Sequence, residues 1–263
     1  MGGQQMSESF PVDYLAIEHL SKRYLNCNGA DYILKDFSIE VPKGQFLCII
    51  GPSGCGKSTL LRCITGFEQY DGSIRLGGKL LREPGVDRIL VFQDFNQLFH
   101  WKTVLQNVQF PLKMSRKYEK AEYTAIAQKF IDLVGLSGYE NYYPHQLSGG
   151  MKQRVAIAKS LAIKPQVVLM DEPFASLDAM TRKTLQSELL RLQSIERSTV
   201  LFVTHNIQEA IALGDRVIAL SQNGVIVKDI PIEISKPATP ATPGFSELWA
   251  ELNQALSAEP DIV

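Results

Sequence analysis

The sequence has no hydrophobic run long enough to cross a lipid bilayer and no excess of either charge. Its 263 residues include 27 Lys+Arg and 28 Asp+Glu, so the formal net charge is -1. A nucleic-acid-binding surface normally needs a basic excess, and this balance therefore argues against a nucleic acid as partner. A membrane-spanning helix needs about 20 apolar residues. We therefore expect a globular chain that does not itself cross a membrane.

Other signals are also missing. The N-terminus lacks the basic start and apolar stretch of a secretory signal, and residues 1–12 are expected to be disordered. The four cysteines, at positions 27, 48, 55 and 63, lack the paired spacing of a metal site. We expect them to be reduced thiols in a cytosolic protein, since disulfides are rare there.

The hydrophobic pattern predicts an α/β protein. Continuous apolar runs at residues 46–50 and 167–170 are typical of strands buried on both faces of a parallel sheet, and residues 199–204 are also interpreted as a buried strand. Residues 13–235 are expected to form one domain, with a helical part at about 94–165. Residues 236–244, KPATPATPG, are interpreted as a linker without packing potential. The remaining residues, up to 263, are predicted to form a short helix. Its apolar stripe is expected to dock on its own domain, on a partner or on a membrane surface.

The residues after the first of these runs form a phosphate loop, GPSGCGKST, at 51–59. Its glycines let the backbone wrap around phosphates, and its amides and the following helix start attract anions. Lys57 is expected to reach the β- and γ-phosphates, Ser58 to bind Mg²⁺, and Thr59 to support the α-phosphate. Cys55 is interpreted as a filler without a catalytic role. The predicted nucleotide contacts are Gly51, Ser53, Gly54, Cys55, Gly56, Lys57, Ser58 and Thr59.

Two further motifs carry chemistry. In LSGGMKQR, at residues 147–154, Ser148, Gly149 and Gly150 open a helix. A serine cap with free amides is a second anion site. The run at 167–170 leads into Asp171 and Glu172. Asp171 is placed to hold Mg²⁺ through water, and Glu172 to polarise an attacking water.

These motifs in this order resemble the ATP-binding subunits of ABC transporters over residues 15–234. The resemblance implies a P-loop NTPase fold of ABC type, with a mixed or parallel sheet core, an antiparallel β part and a helical subdomain. It implies ATP and Mg²⁺ as cofactors and an active hydrolase. It also implies a homodimer in which each ATP lies between Lys57 and Ser58 of one chain and Ser148 and Gly150 of the other.

The resemblance assigns roles to four more residues. Gln93 matches the glutamine that contacts Mg²⁺ or water and signals to the membrane partner. Asp178 matches the loop that communicates across the dimer, and His205 the switch histidine that contacts the γ-phosphate. Tyr24 matches the aromatic residue that stacks on adenine, although it is also typical of a core edge. The implied catalytic set is Glu172, His205, Gln93 and Lys57, and the metal set is Ser58, Gln93 and Asp171.

The pattern E-P-G-x-D-R-x-x-V-F-Q at 83–93 resembles the nitrate, sulfonate and taurine branch of importers, which includes bicarbonate systems. The chain departs from that branch at 99–102, FHWK, where it lacks a proline. The implied function is an ATPase that energises an importer at the cytoplasmic face of the inner membrane. Its partners are transmembrane permease subunits and, indirectly, a solute-binding protein. Phe99 and Trp101 are either a permease contact or core packing. The alternatives are a soluble ATPase of an assembly machine, such as iron–sulfur cluster formation, and a stand-alone exporter subunit.

Overall fold

A computed structural model describes residues 14–26, 29–92 and 97–257. The strands are β1 (Leu15–Asn26), β2 (Gly29–Val41), β3 (Phe46–Ile50), β4 (Asp71–Leu76), β5 (Lys79–Leu80), β6 (Arg88–Val91), β7 (Val167–Asp171), β8 (Thr199–Val203), β9 (Arg216–Leu220) and β10 (Ile226–Pro231). The helices are α1 (Lys57–Thr65), α2 (Val104–Ser115), α3 (Tyr123–Leu133), α4 (Gly149–Leu161), α5 (Ala179–Glu196), α6 (Ile207–Leu213) and α7 (Phe245–Ser257).

The larger sheet has six strands in the order β10-β9-β3-β8-β7-β6. All its neighbouring pairs are parallel except β9 with β10, which form an antiparallel hairpin. Every residue of β3, β7 and β8 is buried, as expected for strands covered on both faces. The predicted mixed or parallel α/β core is therefore confirmed.

The strand register brings three chain segments to one edge of this sheet. Ile49 of β3 pairs with Val203 of β8, and Val203 also pairs with Asp171 of β7. Because the three strands are parallel, their carboxyl ends meet at the same edge. The segments that follow them therefore lie together, which is where open α/β sheets usually bind ligands.

The second sheet is antiparallel, with the order β2-β1-β4-β5, and it packs with α1 and the larger sheet in one buried cluster. Residues from β1, β3 and α1 share one buried cluster that includes Leu15, Ile49 and Leu60. The antiparallel β part expected beside the core is thus present. The short strand β5 was not predicted, because two residues carry no periodic signal.

Helices α2, α3 and α4 pack together beside the sheet, within the stretch expected to be helical. Helix α2 begins at a capping box, in which Thr103 Oγ1 accepts from the Gln106 amide at 3.3 Å and Gln106 Oε1 accepts from the Thr103 amide at 3.1 Å. Buried Asn107 then donates to the carbonyl of Phe99 at 3.1 Å and accepts from the Phe99 amide at 2.8 Å. These hydrogen bonds fix the conformation of the loop before α2.

The apolar stripe of α7 docks on the chain's own domain. Phe245 and Leu252 are buried, and the helix contacts α6, β9 and β10. The expectation that residues 236–244 have no packing potential is wrong. Ala238 is buried, and Lys236 Nζ donates to the Leu213 carbonyl at 3.0 Å, because a lysine can bury its aliphatic stem. Among the described residues, none of the helices has the length and hydropathy needed to traverse a bilayer.

Candidate nucleotide-binding and hydrolysis site

The phosphate loop follows β3 directly and depends on glycine at two backbone positions. Gly54 and Gly56 have φ angles of 86° and 99°, in the left-handed region that favours glycine. A Cβ on Gly56 would lie 2.7 Å from the Ile33 carbonyl oxygen, so this residue also lets the loop approach β2. Gly56 caps α1 without a side-chain hydrogen bond. The first amides of α1 are therefore available for an anion.

Lys57 is held at the loop by backbone contacts. Its side chain is only 7% exposed, and Nζ donates to the carbonyl oxygens of Gly51 and Pro52 at 2.7 Å each. The ammonium is therefore fixed beside the loop amides. Thr59 is buried and Ser58 is half-buried behind it, while Ser53 and Gly54 face solvent. These placements suit a loop that encloses phosphates.

Cys55 lies inside the same loop. Its side chain is buried, and Sγ is 3.8 Å from Lys57 Nζ. Burial raises the pKa of the Cys55 thiol above its usual range. The neutral thiol is a poor nucleophile, so the structure places a packing group here.

Asp171 and Ser58 form a pair of oxygen donors at the sheet edge. Asp171 is 9% exposed, and its carboxyl is hydrogen-bonded by Ser58. Burial raises the pKa of Asp171, while the bond from Ser58 opposes the shift. A hydroxyl and a carboxylate are hard ligands of the kind that Mg²⁺ takes together with substrate phosphates. The donor set therefore fits Mg²⁺.

Glu172 and His205 face each other across the ends of β7 and β8. His205 Nδ1 lies 3.0 Å from Glu172 Oε2. Glu172 has a φ of 45°, which is strained for a residue with a side chain, and its amide donates to the Val203 carbonyl at 3.0 Å. Such strain is held only where neighbours determine it, and it is frequent at functional sites. The Glu172 side chain is 19% exposed, so water can reach it.

Ser148 and Asp178 lie at helix starts and face outwards. Ser148 Oγ accepts from the Met151 amide at 3.3 Å, and the Asp178 carboxyl accepts from the Thr181 amide at 2.9 Å. That bond lowers the pKa of Asp178. A Cβ on Gly150 would lie 3.3 Å from Leu177 Cδ2, so the two loops are neighbours. Ser148 and Gly149 are exposed on the surface, where a second chain can reach them.

Two predicted residues are less defined. Tyr24 is half-buried on β1, with Lys22 Nζ 4.8 Å from its ring centroid. Its adenine-stacking role stays a prediction. Gln93 lies outside the described residues. The neighbouring Phe92 is anchored, because its carbonyl accepts from Gln97 Nε2 at 2.8 Å.

Sequence reasoning missed three polar residues behind the Glu172–His205 pair. Thr204, Arg182 and Glu209 line or adjoin a polar cavity of about 70 Å³ that Glu172 and His205 also line. The only sequence signal was Asn206-x-x-Glu209, which is typical of an ordinary helix start. The contact of α6 with α5 that gives Glu209 its partners is tertiary, and no local pattern predicts it.

A family model described as ABC transporter matches residues 34–175, which is more than half of the chain. The chain belongs to the ABC transporter family. The recognition of an ABC transporter ATP-binding subunit and of its P-loop NTPase fold is thereby confirmed, and the class of enzyme is an ATPase.

Individual relatives also align with most of the chain. The chain is 45% identical over 247 residues to the ABC transporter ATP-binding protein MJ0412 of Methanocaldococcus jannaschii, covering 93% of this chain and 92% of the relative. It is 46% identical over 218 residues to the bicarbonate transport ATP-binding protein CmpD of Synechocystis sp., covering 82% and 77%. It is 39% identical over 246 residues to the nitrate import ATP-binding protein NrtD of Synechococcus elongatus, covering 90% and 89%.

Solved structures agree with the fold. The dimeric ABC transporter cassette MJ0796 superposes with a TM-score of 0.77 at 31% identity, covering 83% of this chain and 99% of the cassette. A post-hydrolysis state of the same cassette, bound to ADP and Pi, matches equally well, with a TM-score of 0.77.

Proposed function

We propose that this ABC subunit hydrolyses ATP to energise an importer of a small oxyanion or a similar solute, such as nitrate, bicarbonate or a sulfonate. The observation that carries hydrolysis is the contact of Glu172 Oε2 with His205 Nδ1 at 3.0 Å, at the sheet edge that also carries the phosphate loop. A carboxylate oriented by a second group is the arrangement a general base needs.

The site residues have different roles in binding and hydrolysing ATP. Lys57 and the amides at the start of α1 hold the phosphates, and their positive charge stabilises the negative charge of the transition state. Glu172 orients and polarises the attacking water, and His205 keeps its carboxylate in place. Ser58 and Asp171 would hold Mg²⁺, which supplies charge neutralisation between the phosphates. Gln93, which follows β6, is assigned to the same site.

The proposed active unit is a homodimer. Ser148 and Gly149 are exposed at the start of α4, where an anion is favoured, and the cassette MJ0796 is dimeric. One chain would thus offer Lys57 and Ser58 while its partner offers Ser148 and Gly150. ATP then bridges the two chains, and hydrolysis weakens the bridge. The difference in affinity between the two states is the source of conformational work.

The membrane partner is proposed to dock on the helical part. Trp101 is 71% exposed, and Phe99 packs against it with ring centroids 5.4 Å apart. The capped start of α2 and buried Asn107 fix the backbone of this loop, so the indole projects from a defined position. An exposed tryptophan on a well-defined backbone is a typical anchor of a protein interface. We assign it to permease subunits at the cytoplasmic face of the membrane.

The test is affinity capture of the tagged chain from detergent-solubilised native membranes, followed by mass spectrometry. We expect a multi-span permease, with a solute-binding protein in the same assembly. That binding protein is then screened against nitrate, bicarbonate, taurine and other sulfonates. Recovery of soluble partners alone would contradict the importer, and a permease without a solute-binding protein would favour export.

A further inference from the structure

A single carboxylate joins α5 to the loop that carries His205. Glu209 lies in the first turn of α6, where its Oε2 accepts from Thr204 Oγ1 at 2.6 Å. Its Oε1 accepts from Gln186 Nε2 of α5 at 2.8 Å. The two oxygens of Glu209 therefore connect the residue before His205 to a different helix.

Thr204 anchors the loop after β8, which carries His205. It is 2% exposed, and its amide donates to the Ile49 carbonyl at 3.2 Å, at the end of the strand that leads into the phosphate loop. Its hydroxyl also accepts from the Asn206 amide at 3.1 Å. The backbone on both sides of His205 thus depends on one hydroxyl. The His205 side chain is 67% exposed, so little packing holds it beyond its own backbone and its contact with Glu172.

Glu209 does not act as a simple helix cap. In a closed capping box, its carboxylate would accept from the amide of Asn206. Here the Thr204 hydroxyl accepts from that amide, and the Glu209 carboxylate points to Thr204 and Gln186 instead. The Glu209 side chain is therefore committed to contacts between elements, and the helix start is served by Asn206 and Thr204.

Arg182 lines the same cavity as this carboxylate and contacts the neighbouring loop. Its Nη2 donates to the Leu177 carbonyl at 2.9 Å. Burial raises the pKa of Glu209, and the positive charge of Arg182 is one of the influences that oppose this shift. Arg182 Nε is buried and makes no hydrogen bond within the described part of the chain. The guanidinium lines the same polar cavity as Glu172 and His205. The positive charge of Arg182 therefore favours the ionised form of the Glu209 carboxyl.

We propose that Glu209 is a positioning residue for His205, and that Arg182 couples it to the loop of Leu177 and Asp178. The inference rests on the proposed ATP hydrolysis. When Glu209 keeps its charge, it orients the Thr204 hydroxyl and so sets the distance from His205 to Glu172. A displacement of the Leu177 carbonyl moves Arg182 and weakens that hold. Contact at this exposed loop is thereby transmitted to the hydrolytic pair.

The test compares Glu209→Gln with wild type, using phosphate release from ATP by the full chain. Gln keeps the shape of Glu but loses the charge. We expect kcat to fall about ten-fold, which corresponds to about 1.4 kcal/mol of transition-state stabilisation. KM for ATP should change less than about two-fold, because the hydrogen bonds of Glu209 to Gln186 and Thr204 lie outside the phosphate loop. Glu188→Gln, the same change on α5 at a pair with Arg191, is the matched control and should leave kcat unchanged.

A double-mutant cycle separates positioning from simple destabilisation. Thr204→Val removes the hydroxyl at constant shape, and with it the bonds to Glu209 and to the Asn206 amide, so we expect kcat to fall at least as much as for Glu209→Gln. The double variant should lose no more than about two-fold beyond Thr204→Val, because the contact between Thr204 and Glu209 is then already absent. Full multiplication of the two losses, or wild-type kcat in Glu209→Gln, overturns the positioning role.

Arg182→Gln tests the coupling. We expect it to lower kcat, with little further loss when combined with Glu209→Gln. Independent losses in this pair would overturn the link to Leu177. Should the wild-type chain bind ATP and release no phosphate, the proposed function fails. If wild type hydrolyses ATP and the variants match it, only the positioning inference fails.

Discussion

Glu172 Oε2 and His205 Nδ1 lie 3.0 Å apart, although 33 residues separate them in the chain. The contact exists because β7 and β8 are parallel neighbours whose carboxyl ends meet at one sheet edge. Glu172 directly follows β7 with a φ of 45°, a strained conformation that persists only where neighbouring structure maintains it.

Glu172→Gln should trap an ATP-bound dimer. The amide keeps the shape of Glu172 and can hold a water, but it cannot polarise it as a base. We expect kcat to fall by roughly 10²–10⁴, the usual contribution of a general base. Phosphate release measures the rate, and size-exclusion chromatography with ATP measures the dimer. Wild-type turnover in this variant would show that Glu172 is not the base.

Gly56→Ala should abolish nucleotide binding and destabilise the fold. The new Cβ would lie 2.7 Å from the Ile33 carbonyl and 2.9 Å from Leu34 Cδ2, at a φ of 99°. Overpacking of this kind costs about 1–3 kcal/mol, in addition to backbone strain. Gly77→Ala is the control, since it has a positive φ but nothing within 4 Å of its Cβ. Thermal unfolding and titration with a fluorescent ATP analogue measure both effects, and equal losses in the two variants would refute the close approach.

Asp171→Asn should stabilise the protein while it removes the Mg²⁺-dependent hydrolysis. Burial raises the pKa of Asp171 in the folded state, so the folded chain retains a proton that the unfolded chain has lost. Stability from this group is therefore present below the unfolded pKa and is lost as pH rises through the folded pKa. The gain in Tm from Asp171→Asn should grow with pH across that window and then level off.

The control for this pH effect is Asp132→Asn. Hydrogen bonds from Ser137 and Gln128 lower the pKa of Asp132, so its removal should cost stability above the unfolded pKa. Thermal scans between about pH 3 and 8 follow both variants. A constant difference in Tm between Asp171→Asn and wild type over this range would contradict the raised pKa.

Trp101→Ala should separate hydrolysis from docking. Its indole is 71% exposed, so truncation leaves the fold and the basal ATPase rate of the isolated chain unchanged. Loss of an interface anchor typically costs about 2 kcal/mol or more, which is about 30-fold in affinity. Capture of the permease from membranes should fall accordingly. Trp249→Ala, the second tryptophan, is half-exposed on α7 and should retain capture.

Local sequence was sufficient for much of the fold. The bounds of β3 were predicted to the residue, because an uninterrupted apolar run is a local signal. The burial of Lys236 and Ala238 was not predictable, since a Pro/Thr/Ala stretch carries no periodicity and the surface that covers it comes from α6. The same limit applied to β5, whose two residues gain strand geometry only by pairing with β4.

The amino-acid sequence by itself determined the phosphate loop, the order of the motifs and the family, because each depends on residue types at fixed spacing. Only the tertiary structure decided how these motifs meet. It set the 3.0 Å contact between Glu172 and His205 and the 2.8 Å hydrogen bond from Gln186 to Glu209. These relationships join residues on different elements, and their distances follow from strand register and helix packing, which no short stretch of sequence encodes.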